Sequence, residues 1–451
     1  MAQNYDVIIA GGGLSGVLTA CKILSALPNA RILVLEKEKN AGGRLRTSCP
    51  EESKWSFGIN TLAPFLADFL EETIKEVFPD FDINQYDPIP MNEFAQLSAS
   101  KLSKFGCEEV LGPASAKAMG GRNAGKEFAE VESLIIKSED EKFSDDRISK
   151  LLKLKRKSPG AVLLEHQASA FGIPDVWNSG VELLRVKAET YRAGLVKGKW
   201  DLLCDDVLES LSQREGVDVI KSCHIISATR LDNVTTLKSE KGEFACSSLV
   251  VAQNPWAAHG WLDKELFPVS ILNLILKSKP VSLVTLSCLN NSGLSLPDMT
   301  LVPAEKTQVV SYENSVTFQA TIDYELSLTS LEVVKAVKRL RRARKRIEQY
   351  LDDSPLDREF VALLPCAWPL PAGISDRKLV SKLTNEALNG GGVQFCGDTY
   401  GTSLEGDANT LSSVKYATLS SLKDVESKGL LHDKNNRRKD DLGSNQRESE
   451  T

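Results

Sequence analysis

The chain lacks any apolar run approaching the ~18 residues that a membrane span requires. Its longest apolar stretches, such as Val269 to Leu276, are short and broken by Ser and Asn. It also lacks a basic excess. With 55 Lys and Arg against 61 Asp and Glu the net charge is −6, whereas nucleic-acid-binding domains carry a pronounced positive balance. Histidine is scarce, with four in 451 residues, and no two of the nine cysteines form a CxxC pair. A zinc site or an extracellular disulfide framework is therefore not expected, and the odd cysteine count fits free thiols in a reducing compartment. The N-terminus runs directly into a strand-like segment with no basic n-region, so no secretory leader and a cytoplasmic location are expected. What remains is an ordinary globular composition, 42% hydrophobic and 26% charged, in a chain long enough for two or three domains.

Residues 5–36 read as strand, turn, helix, strand. Tyr5–Ala10 is β-branched and apolar, as befits a strand buried on both faces. Leu14, Val17, Leu18, Cys21 and Leu24 then recur at helical spacing, and Ile32–Leu35 forms a second strand ending at Glu36. The segment between strand and helix is Gly11-Gly-Gly13-Leu14-Ser15-Gly16. Gly11 suits the tight turn, Gly13 lets the backbone approach a pyrophosphate, and Gly16 lets helix and strand pack closely. The helix start offers unpaired N–H groups to the phosphate. Glu36, followed by Lys37, stands where a carboxylate can accept hydrogen bonds from ribose hydroxyls. Strand, glycines, helix and acid together predict a dinucleotide site, with FAD and NAD both open at this point.

The next segment, Glu36-Lys-Glu-Lys-Asn-Ala-Gly42-Gly43-Arg44-Leu-Arg46-Thr47, resembles the flavin amine oxidase and phytoene desaturase superfamily, which also includes protoporphyrinogen oxidases. In that family a GGR(x)RT segment follows the ribose-binding acid, its glycines near the pyrophosphate and its arginine helping to hold it. Trp55-Ser-Phe-Gly58-Ile59-Asn60 looks like the family's short segment beside the isoalloxazine. Gly216 to Ile225 looks like the strand pair that sets a backbone amide against the adenine, a place that spacing gives to Ile225. Val393-Gln-Phe-Cys-Gly397-Asp398 resembles the family's C-terminal segment, whose acid binds a ribityl hydroxyl and whose next helix points at the pyrimidine ring. There the sequence departs from the family: Glu405-Gly-Asp-Ala-Asn-Thr-Leu-Ser-Ser413 is about two residues longer than usual and lacks the final glycine. Ala408, Asn409, Thr410 and Leu411 all remain candidates for touching the ring.

The resemblance implies an α/β fold, with a doubly wound FAD-binding domain from 1–62, 200–260 and 390–424. A mixed α+β substrate domain from 63–199 and 261–389 would be interleaved with it. It further implies non-covalent FAD and oxidation of an amine or of an unsaturated or cyclic organic substrate, with O2 or a quinone as possible acceptor. A protoporphyrinogen oxidase or carotenoid desaturase is the alternative enzyme. A flavin-free binding module like the Rab GDP-dissociation inhibitors is the alternative from another class. Trp368 and Tyr400 are the pocket candidates, each weighed against simple core packing. Gly112–Gly125, rich in Gly, Ala and Ser, reads as a loop. A strongly basic helix spans about 331–350, and its cations are expected either to be solvated or to meet an anionic membrane surface or acidic partner. Residues 425–451, nearly devoid of apolar side chains, are expected to be disordered.

Overall fold

The computed structural model describes residues 2–45, 61–98, 101–137, 148–152, 155–170, 173, 175–269, 271–273, 279–290, 296–312, 315–323, 329–351, 355–370, 392–397 and 410–426. Gln3–Ala10, Ile32–Leu35 and Val217–Ile220 lie side by side as parallel strands, with Gln3–Ala10 central and Gly242–Val251 on its other flank. Gly242–Val251 is long enough to hold two neighbours on its far side. Its first half pairs antiparallel with Val234–Ser239, and Leu249–Val251 pair parallel with Val393–Phe395. Residues from the two ends of the chain thus share one sheet. Both faces of its centre are covered, so Ile32–Leu35 and the second half of Gln3–Ala10 are apolar on both sides, as a parallel sheet between helices requires. Val7, Ile9, Ile32 and Val34 pack beneath the helices Leu14–Ala26 and Trp200–Ser212. Ile8, Ala10, Leu33 and Leu35 pack on the other side with Ile225, Phe267 and Phe395.

A second sheet is almost wholly antiparallel, in the order Asp357–Leu370, Lys279–Leu289, Ser315–Asp323, Thr307–Ser311, Met299–Val302, Phe94–Ser98, Lys101–Phe105. One pair within it, Met299–Val302 with Phe94–Ser98, is parallel. Alternation sorts its faces: Val284, Leu286 and Cys288 pack with Val316, Phe318 and Ala320 under the helix Ser330–Tyr350, through Ala336, Leu340, Ala343 and Ile347. Met299, Leu301, Val310 and Phe94 point the other way, into helices from the 113–192 region. A small third sheet joins Thr61–Leu62, Leu195–Lys197 and Ile89–Met91.

One local reading is corrected. Gly112–Gly125 is not a loop; it enters the helix Pro113–Lys137, which is interrupted at Gly121, where φ is +76°. Proline at the helix start and the buried series Ala116, Ala124, Phe128 and Val131 drive it. The small residues serve close approach, since a Cβ on Gly125 would lie 2.9 Å from Lys117 Cβ, and one on Gly160 of the neighbouring helix 2.3 Å from the Glu127 carboxylate. The segment around Pro365 and Pro369 belongs to the strand Asp357–Leu370, where two residues without N–H groups are tolerated because the strand lies at the sheet edge.

Candidate cofactor site

The first strand ends at Ala10, and Gly11 turns the chain with φ +121°, its N–H donating to Leu35 O at 2.9 Å. A Cβ here would meet Ala252 O at 2.6 Å, and one on Gly16 would meet Gly11 O at 2.0 Å. Both glycines are therefore demanded by the fold itself. Gly13 differs: a Cβ there would find nothing nearer than Gly43 Cα at 3.7 Å. Gly13 caps the helix Leu14–Ala26 with no side-chain hydrogen bond, and no acidic residue occupies the first turn. The helix start, where Leu14 and Gly16 are buried and Ser15 is half-buried, is left as an uncapped positive dipole end that suits an anion.

The second glycine segment lies directly against the first. Gly42 N–H donates to Gly12 O at 3.0 Å, and Gly13 and Gly42 form a parallel bridge. Gly42 has φ +102°, and a Cβ on it would strike Asp201 at 2.7 Å. Gly43, with φ +59°, has only Gly13 Cα within reach of a Cβ, at 3.4 Å. Arg44 lies in the turn Gly43–Leu45 and is half-buried. The helix Trp200–Ser212 fixes this segment: Asp205 accepts the Ala41 N–H at 2.8 Å and the Lys221 ammonium at 2.7 Å.

Glu36 is buried at the end of its strand. One carboxylate oxygen accepts the Gly12 N–H at 2.7 Å, the other the Glu38 N–H at 2.9 Å. The side chain is thereby held rigidly beside the glycine turn. Lys37 is exposed. Ser222 and Cys223 donate backbone N–H groups to Glu38 O and Glu36 O at 3.0 and 2.9 Å. Ile225 opens the following strand with its side chain buried.

The C-terminal segment reaches the same core. Gly397, with φ +139°, follows the strand Val393–Phe395, and its N–H donates to Ser413 Oγ at 2.9 Å. Thr19 on the first helix donates to Cys396 Sγ at 3.6 Å. Residues 410–426 are helical; Thr410 is buried, and Leu411 packs on the cluster that holds Leu14, Val17 and Leu18. Burial pushes the Cys21 and Cys396 thiols up to about 12 and raises Cys204 well above the ordinary thiol value. These thiols stay protonated and serve as packing groups. Trp368 pairs with Val281 across the edge of the second sheet. Gly58, Ile59, Asn60, Asp398, Tyr400 and Asn409 lie outside the described residues.

Sequence reasoning passed over Asp205, Lys221, Ser222 and Cys223. Only the pairing of sheet and helix brings them to the glycine segments, and nothing in their local sequence marks them.

The family model of the NAD(P)-binding Rossmann-like domain matches residues 9–73. Two solved structures align over nearly the whole chain. One is described as a protoporphyrinogen oxidase, from Exiguobacterium sp. 255-15, with 15% identity, a TM-score of 0.61 and coverage of 93% of this chain and 99% of that one. The other is cyclohexylamine oxidase from Brevibacterium oxydans IH-35A, with 12% identity, a TM-score of 0.62 and coverage of 94% and 99%. The chain therefore shares the overall fold of these two oxidases. In sequence, a curated relative, MymA of Mycobacterium tuberculosis, named as an FAD-containing monooxygenase, is 44% identical over 43 residues. That stretch is 10% of this chain and only 9% of the relative.

Proposed function

We propose that the protein is an FAD-dependent oxidoreductase that removes hydride from an amine or from an unsaturated or cyclic organic substrate. The observation that carries this reading is Gly13, packed against the Gly42–Gly43 segment at an uncapped helix start beside a buried carboxylate. Its φ is negative and a Cβ on it would make only ordinary contact, with Gly43 Cα at 3.7 Å, so the protein's own packing does not demand glycine there. Glycine at Gly13 is explained by a ligand whose charge and bulk enter there, as a pyrophosphate would.

In this reading the FAD-binding domain is assembled from 1–62, 200–260 and 390–424, with 63–199 and 261–389 as substrate domain. The amides of Leu14, Ser15 and Gly16 hold the pyrophosphate, Arg44 balances its charge, and Glu36 accepts hydrogen bonds from ribose. Ile225 presents a backbone amide to the adenine. Gly58, Ile59 and Asn60 flank the ring system, and Asp398 accepts a hydrogen bond from the ribityl chain. Asn409, Thr410 and Leu411 lie against the pyrimidine ring. Bound non-covalently, FAD would supply the hydride acceptor. The protein's own contribution is orientation and exclusion of water, with Trp368 and Tyr400 as the residues assigned to the substrate side. Free buried thiols accord with a cytoplasmic setting.

The test is the visible spectrum of the purified protein, followed by anaerobic bleaching with a panel of amines, porphyrinogens and polyenes. The two-banded absorption of oxidised flavin, bleached by one substrate class, is expected. A colourless protein that FAD cannot reconstitute would overturn the enzyme reading in favour of a flavin-free binding module.

A further inference from the structure

The surface formed by the helix Ser330–Tyr350 and the edge strand Asp357–Leu370 is used by nothing described above. The helix carries eight cations against two carboxylates, a net +6 in a chain whose net charge is −6. Several cations are engaged internally: Arg342 and Arg346 with Glu305, Arg341 and Arg344 with Glu359, Arg344 also with Glu348, and Lys335 with Glu332. Arg339 donates to Thr321 O. Counting Glu305 and Glu359, the surface still keeps a net +4. Its outward line is regular, since Leu331, Val334, Lys335, Lys338, Arg341, Arg342, Lys345 and Gln349 are all exposed and recur at three- and four-residue spacing.

The edge strand extends this surface. Leu363 pairs with Val284 and Val361 with Leu286, and directly paired residues share a face. Val284 and Leu286 pack under the helix, so Val361 and Leu363 emerge beside it. Thirteen large hydrophobic residues are exposed among the described residues. Five of them, Leu331, Val334, Tyr350, Val361 and Leu363, belong to this one helix and strand. Aliphatic side chains next to lysines and arginines are the two components by which a surface element settles on a charged bilayer. The long cationic stems can reach headgroups while the aliphatic groups enter the acyl boundary.

A protein strand adding to the edge is opposed by Pro365 and Pro369, which offer no N–H to a new partner. No helix among the described residues is long and apolar enough to cross a membrane, so contact would lie in the interface plane. We propose that this helix-and-strand face is a docking surface for an anionic lipid bilayer.

The full-length protein, with whatever cofactor it carries, is mixed with vesicles of phosphatidylcholine alone or of phosphatidylcholine with phosphatidylglycerol, and sedimented at low and high salt. Binding to the anionic vesicles only, weakened by salt, is expected. A Lys338→Glu/Lys345→Glu variant, altering two exposed cations outside the ion pairs above, should partition on the order of thirtyfold less. A Leu331→Ser/Val334→Ser variant should also bind less, while both variants keep the parent melting temperature. Failure of the parent to bind anionic vesicles at low salt overturns the proposal. So does undiminished binding by the lysine variant, or equal binding of the parent to soluble polyglutamate, which would mark the face as a site for an acidic protein.

Discussion

Gly13 and Gly16 stand three residues apart in one glycine segment and answer to different masters. Gly16→Ala drives a Cβ into the Gly11 carbonyl, 2.0 Å away, and backbone cannot yield as a side chain can. We expect a loss of about 3 kcal/mol or more, read as a lower melting temperature with or without cofactor. Gly13→Ala meets no such contact. It should cost the free protein about 1 kcal/mol or less, the price of a poorer helix cap, yet weaken FAD binding at least about tenfold in a fluorescence titration. Equal effects of the two substitutions on stability would remove the ligand argument for Gly13. Glu36 also has a double task, since its oxygens already hold the Gly12 and Glu38 amides. Glu36→Gln keeps a side-chain carbonyl that can still accept one of these amides but loses the charge. We expect a folded protein whose FAD affinity falls by an amount on the order of 1.5–3 kcal/mol, the worth of a charge-assisted hydrogen bond.

At the level of elements, the tie between Leu195–Lys197 and the second sheet includes one largely buried ion pair, beside the packing of Leu195 with Met299, Leu301 and Val310. Lys197 Nζ lies 2.7 Å from Asp298 and 2.9 Å from Ser311 O, and Asp298 also accepts the Asn92 and Glu93 amides. Burial works to raise the Asp298 pKa, but the Lys197 hydrogen bond and the two amides outweigh it, and the pKa is lowered. A carboxyl depressed in the folded state stabilises fully above its unfolded value, near ~3.9, and that stability is lost as pH falls through the folded value. Asp298→Asn should therefore melt well below the parent at neutral pH, and the gap should close below about pH 4. A gap independent of pH would show that the pair contributes through shape alone. Which elements were legible in the sequence follows from how local their causes are. The first βαβ unit, the basic helix and the strands near 217–251 carry their own periodicity and were read correctly. The helix Pro113–Lys137 is not legible there, because glycine and alanine look like a loop until the folded segment shows how closely its own two halves approach, as Gly125 does Lys117. Asp205, which holds the Ala41 amide, was invisible for the same reason: its partner is supplied by tertiary packing, 164 residues away.

On the scale of the whole molecule, the glycine segments, the acid and the C-terminal glycine can each be read as motifs, whereas their convergence is legible only through the family resemblance and not from the residues themselves. The sheet supplies it, by setting Val393–Phe395 against Leu249–Val251 in register. If Asp398 completes the cofactor site, Asp398→Ala should cost about 1–3 kcal/mol of FAD affinity, measured by titration calorimetry, while Rossmann-type binding to the first half alone would be indifferent to it. The same sheet imposes an order on synthesis. A nascent chain lacks the Val393–Phe395 strand and Cys396, which packs against Thr19, until nearly nine-tenths of it has been translated. Until then the Leu249–Val251 edge is an unfilled strand edge open to wrong neighbours, and closing it requires a contact of very long sequence separation, which is slow to form. If the proposed site needs both ends of the chain, flavin supplied during refolding should raise the yield of native protein by trapping chains at the moment those ends meet.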